Sequence, residues 1–187
     1  MIEPTDETRR LVWDELVDSD RMCRYYGYLT HRLRNLEQLL QFVAVFAAFA
    51  GLAGVLLQLP WITLPSLAVA ASAGAISTLR NYSDKALQSN EIFRELGRLA
   101  IEWELLWNNL SAKDDDTVLA SWKKLSERQF ALVERVPFDL PLSPSLARKS
   151  QQEAYEYWSE FAHADQSSAT ALVSGESRDA AASIAHH

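Results

Sequence analysis

Apolar residues return in alternating steps of four and three at both ends of a long uncharged block. Met22, Tyr26, Leu29, Leu33, Leu36 and Leu40 carry the rhythm before the block, and Ile92, Leu96, Leu99, Trp103, Leu106 and Leu110 carry it afterwards. Such spacing keeps one stripe of a helix facing a partner, as in a coiled-coil seam. Charged residues fill the other faces, among them Arg32, Arg34, Glu37, Arg94, Glu95, Arg98 and Glu102. Trp13 and Leu16 extend the first seam, so the pattern predicts a helix from about Thr8 to Leu59 without a strong breaker.

The block itself contains no Asp, Glu, Lys or Arg from Gln38 through Leu79. Leu39 to Leu59 is about 21 residues and Trp61 to Leu79 about 19, which at 1.5 Å per residue span roughly 31 and 28 Å, close to the hydrocarbon thickness of a bilayer. Pro60 and Pro65 bracket a tight connection, with Trp61 suited to a membrane–water interface. The expected organisation is an N-terminal cytoplasmic helix over 8–38, a two-helix transmembrane hairpin over 39–79 and a cytoplasmic helical region over 80–163. Because the hairpin brings its ends together, the two arms can pack antiparallel as one rod. A soluble bundle with a buried central pair is the competing expectation, but this chain offers little other sequence to cover two such helices on every face. Arg21, Arg24, Arg32 and Arg34 precede the first span and Arg80, Lys85, Arg94 and Arg98 follow the second, while the loop between carries no charge. That asymmetry places both termini in the cytoplasm.

Beyond the second arm, SAKDDD at 111–116 reads as a turn followed by a helix start, because carboxylates suit a helix N-terminus. Val118, Trp122, Leu125, Leu132 and Val136 then form an amphipathic face that ends at PFDLPLSP, and a last amphipathic stretch runs from Ser145 to about His163. The predicted fold is therefore all-α, with the hairpin continued by long coiled-coil-like helices and joined by two shorter ones. Residues 164–187 are rich in Ser and Ala without a period that would bury a face, and are expected to be disordered.

Charge and composition narrow the chemistry. A net charge of -7 argues against nucleic acid as a partner. The single cysteine, Cys23, permits no internal disulfide and sits at helical spacing as a half-buried core residue. No phosphate loop, metal-ligand spacing or nucleophile motif occurs, His31 and His163 are isolated, and capping accounts for Asp114, Asp115 and Asp116. Neither an enzyme nor a cofactor is expected.

Small residues recur within the block: Ala47, Gly51 and Val55; Ala50 and Gly54; and Ser66, Ala70, Gly74 and Thr78, with Ala71 and Ala75 beside them. Such stripes let membrane helices approach closely. Gly51, Gly54, Ala70, Gly74 and Thr78 are the candidates for helix packing or pore lining, and Leu29, Leu33, Leu36, Leu96, Leu99, Trp103 and Leu106 for packing in the arms. These lines exceed what one hairpin needs, which favours a homo-oligomer. A ring lined by Ala, Gly and hydroxyls would gate by wetting and discriminate poorly among ions, as suits a pore that dissipates a gradient.

In AISTLRNYSDKALQSNEIFRELGRLAIEWELLWNNL the second span runs directly into an amphipathic helix. With the preceding helix, the two close spans and the Pro-containing linker, the arrangement resembles the SLATT domain over about Asp14 to Phe161. SLATT domains are two-transmembrane effector modules of bacterial conflict systems. The resemblance implies a pore-forming or membrane-perturbing effector of antiviral defence in the bacterial inner membrane, acting by growth arrest or cell suicide. It also implies a separate nucleotide-producing or nucleotide-sensing protein as partner, and it supplies no catalytic residues. The alternatives are a non-conducting membrane-anchored coiled-coil scaffold that recruits a partner protein, and a holin-like toxin.

Overall fold

A computed structural model describes residues 4–138 and 140–161; the tail expected over 164–187 lies outside them. The chain is all-α. Helix α1 spans Asp6–Leu56, α2 Pro60–Arg80 and α3 Tyr82–Asn108; a 3-10 turn at Leu110–Ala112 leads into α4, Asp115–Glu134. A further helix, α5, occupies 144–161.

Each boundary has a local cause. The Thr5 hydroxyl accepts the Thr8 N–H (3.2 Å) at the start of α1, and Asp6 and Glu7 place negative charge in its first turn. At the other end Leu59 N–H reaches back to the Gly54 carbonyl (2.8 Å) while Gln58 adopts a left-handed φ of 56°, so a glutamine stands where such caps usually carry glycine. Pro60 then opens α2, where its missing N–H costs nothing. This start, ahead of Trp61, puts Pro65 inside the helix rather than beside its beginning. One left-handed residue, Asn81 (φ 46°, ψ 46°), separates α2 from α3 where the sequence pattern reads as continuous. Asp114 caps α4 by accepting the Thr117 hydroxyl (2.8 Å) and the Thr117 N–H (3.3 Å), and the hydroxyl bond does most to lower the pKa of its carboxyl.

The long α1 is the spine, packing against α3 over its first half and α2 over its second. Its inward residues are Val12, Leu16, Ser19, Cys23, Tyr26, Thr30, Leu33, Glu37, Leu40, Ala44, Ala47, Gly51 and Gly54, all buried or half-buried in strict steps of four and three. One heptad seam therefore serves both partners. Thr30 donates to Ser89 on α3 (2.9 Å), and Gly27 admits the Phe93 ring, 3.1 Å from where a Cβ would stand.

The two remaining helices wrap the lower half of the spine. Asp115 opens α4 beside Thr5 (3.2 Å), and Glu102–Arg128 and Glu95–Arg135 pairs mark its antiparallel course along α3. After α4, Ser143 accepts from Arg32 (3.0 Å), and α5 then descends α1 past a Tyr28–Glu153 bond to Trp158, whose indole donates to Asp20 (3.1 Å). One core cluster gathers Val12, Leu16, Leu99, Trp103, Leu106, Val118 and Trp158 far from the apolar arm; the other gathers Leu29, Leu33, Ala86, Ile92, Leu96 and Leu140 nearer to it.

No such wrapping covers the far half. Two helical stretches are long and apolar enough to cross a membrane, and only 11% and 6% of their most apolar windows are buried. Phe42, Phe46, Phe49, Leu56, Trp61 and Leu64 all stand exposed. A buried central pair of a soluble bundle would show the opposite, since aromatic side chains contribute most when removed from water. The exposed faces are compatible with a membrane protein.

Candidate functional site

The apolar arm carries most of the small residues singled out in the sequence, and the structure divides them between two faces. At Gly54 a Cβ would lie 2.6 Å from Thr63 Oγ1 and 3.0 Å from the Thr63 backbone nitrogen; at Gly51 it would meet Leu67 Cδ2 at 3.3 Å. Both glycines are buried where α2 turns back against α1. Opposite them Ser66 and Ala70 are half-buried, followed by Ala73 (buried) and Ser77 (half-buried).

Gly74 and Thr78 lie elsewhere. Among the described residues nothing approaches within 4 Å of a Cβ built at Gly74, and Ala71, Ala75 and Thr78 beside it are exposed. Helix geometry explains the split: 3.6 residues per turn makes each four-residue step drift about 40°, so a stripe from Ser66 to Thr78 rotates by roughly 120°. The inner line instead alternates four and three through Ala73 and Ser77. The exposed hydroxyls are satisfied within their own helix: Thr78, on the Gly74 side, donates to the Gly74 carbonyl (2.9 Å), and Ser72, on another side of α2, donates to the Ala68 carbonyl (2.6 Å). That leaves a surface of low polarity without a charge.

In the bundle, Leu29, Leu33, Leu96, Leu99, Trp103 and Leu106 are buried, whereas Leu36 is 37% exposed and Glu37 occupies the seam position. Following only leucines shifts the α1 register by one residue here; counting small and polar residues from Val12 recovers Thr30 and Glu37. Sequence reasoning also missed a buried polar relay. The fully buried Trp103 indole donates to Gln129 Oε1 (3.0 Å), and Gln129 donates to Glu15 (3.2 Å). Burial, followed by repulsion from Asp18 and Asp14, raises the Glu15 pKa, and Ser126 partly offsets this. Burial also pushes the Cys23 thiol up to about 11.

Beside α1 lies a cavity of about 270 Å³ lined by Met22, Tyr25, Tyr26, Leu142 and Ala147, with Arg21 in its wall. Among the described residues the buried Arg21 Nε–H finds no partner, while Nη2 pairs with Asp18 (2.5 Å). Among the described residues no group of three or more His, Cys, Asp or Glu side chains gathers as a metal site.

Compared with protein-family models, curated proteins and solved structures, the chain matches none.

Proposed function

We propose that α1 and α2 insert as a two-span hairpin into the bacterial inner membrane with both termini cytoplasmic. Copies then associate through the outer face of α2, and the assembly acts as a membrane effector that opens a pore or perturbs the bilayer. The observation that carries self-association is Gly74. It leaves open space on an outward face flanked by Ala71, Ala75 and Thr78, while other residues fill the contact with α1. Small residues on an unfilled face let a second helix approach closely, the arrangement by which membrane helices associate.

A lumen enclosed beside this contact would present methyl groups and hydroxyls already bonded to their own carbonyls, so water would enter reluctantly and ions would pass with little discrimination. Such a pore collapses a gradient rather than selecting a solute. The SLATT resemblance supplies the setting, antiviral defence ending in growth arrest or cell suicide, and the separate nucleotide-producing or nucleotide-sensing partner. The test is potassium efflux from vesicles carrying the purified chain. Efflux that Gly74→Leu abolishes without loss of insertion supports the proposal; vesicles that stay tight under every activating condition, with inserted protein, refute conduction and favour the scaffold. Replacing both spans with an unrelated hairpin separates the same two: a scaffold keeps its function and a pore loses it.

A further inference from the structure

The cavity between α1, α4 and the start of α5 has no part in the contacts of the apolar arm. Residues 21, 22, 25 and 26 lie on adjacent turns of one face of α1 and form its floor. Val133 of α4 stands on one side, and Leu142 and Ala147 stand on the other, where the chain enters α5. Tyr25 and Tyr26 meet edge to face, ring centroids 5.3 Å apart, and give the floor an aromatic corner beside the pliable Met22 side chain. The space of about 270 Å³ is thus mostly apolar and is shared by three elements that are distant in sequence.

The polar atoms around it are unevenly committed. Ser150 Oγ donates to the Ala147 carbonyl (3.0 Å), and Ser143 Oγ accepts from Arg32 (3.0 Å) and shares a bond with Ser145 (3.1 Å). Tyr25 Oη accepts the Ser143 N–H (3.2 Å), which leaves its own proton to give. Arg21 commits Nη2 to Asp18, its side chain is 40% exposed, and among the described residues neither its Nη1 nor the Tyr25 O–H has an acceptor. Among the described residues no Asp or Glu lines the cavity. Its unspent hydrogen-bonding capacity therefore includes a guanidinium and a phenol as donors, with no anion in the wall to answer them.

We propose that this cavity binds a small monocarboxylate with an apolar body of about ten carbons. The carboxylate meets Arg21 and the Tyr25 hydroxyl, a charge-assisted pairing, while the body packs between Met22, Val133, Leu142 and Ala147, the usual division of labour in a small-molecule site. Volume sets the size: an apolar cavity of about 150 Å³ holds benzene, and this one has nearly twice that room. A bound molecule touches α1, α4 and α5 together and braces the bundle against their separation. None of this depends on whether the apolar arm spans a bilayer.

The test is titration calorimetry of the full chain in mild detergent with 1-naphthoate and with octanoate, each against its neutral amide. At least one carboxylate should bind saturably, about tenfold more tightly than its amide. Filling the cavity with Ala147→Trp, or from the opposite wall with Val133→Trp, should abolish that binding in chains that keep the parent circular dichroism spectrum. Arg21→Gln should weaken the carboxylate about tenfold and leave the amide unchanged. No saturable binding of either carboxylate at millimolar concentration, or binding that persists in both tryptophan variants, overturns the site. An amide that binds as tightly as its carboxylate, or a carboxylate indifferent to Arg21→Gln, overturns the assignment of the ligand.

Discussion

Adding one methyl group at Gly54 should loosen the α1–α2 contact, while adding one at Gly51, a single turn earlier, should not. At Gly54 the new Cβ meets Thr63 Oγ1 at 2.6 Å and backbone nitrogen at 3.0 Å, and the hydroxyl cannot swing clear without breaking its bond to the Leu59 carbonyl (3.1 Å). Relief requires moving the first turn of α2, which Pro60 and the Gln58 cap hold. Overpacking of this kind costs about 1–3 kcal/mol, and the better helix propensity of alanine returns about 1 kcal/mol. At Gly51 the nearest atoms belong to the flexible Leu67 side chain at 3.3 Å, which can yield, so the propensity gain should survive. The two single-methyl variants should therefore differ by about 2 kcal/mol, with Gly51→Ala at or above the parent and Gly54→Ala below it. Reversible unfolding of the purified chain by sodium dodecyl sulfate in mild detergent, followed by far-ultraviolet circular dichroism, gives the order directly. A Gly54→Ala chain as stable as Gly51→Ala would refute the close approach at Thr63.

Other perturbations probe the bundle. Gln129→Leu removes the acceptor of the buried Trp103 indole and should cost about 1–3 kcal/mol in chemical denaturation; an unchanged midpoint would mean the relay contributes nothing. The Cys23 thiol, raised to about 11, should react with iodoacetamide at pH 8 about a hundredfold more slowly in the native chain than in the denatured one. Equal rates would contradict its burial against Phe93 and Gly97. Glu15 has a raised folded pKa, so the native state holds more protons than the unfolded state between the ordinary carboxylate range and that raised value. Glu15's contribution to stability should therefore rise as pH falls through this window, and Glu15→Gln should flatten that part of the melting-temperature profile. A profile of unchanged slope would refute the assignment.

Much of this architecture was legible in the sequence because burial follows periodicity. The α3 seam from Ile92 to Leu106 needed only the spacing of its large apolar residues, and the length of the uncharged block marked the two apolar helices. The α1 register was harder to read: its seam passes through Ser19, Thr30 and Glu37, which polarity scales score as solvent-facing, although Thr30 bonds across to Ser89. The division of the small residues between faces was likewise obscured, because four-residue stripes look continuous in sequence while the helix beneath them rotates. Left-handed caps at Gln58 and Asn81 had no glycine to announce them. The buried pairing of Trp103 with Gln129 depends on how α4 docks, which no local pattern encodes.

Self-association through the outer face of α2 is tested most directly by cross-linking between copies in native membranes. In a Cys23→Ser chain, Ala71→Cys lies on the same exposed face as Gly74, one turn away, and Phe46→Cys lies exposed on α1. Mild oxidation should convert the Ala71→Cys chain into covalent dimers, leave the Phe46→Cys chain monomeric, and fail on Ala71→Cys once Gly74→Leu is added. Dimers at both positions alike, or at neither, would contradict an assembly built on that face.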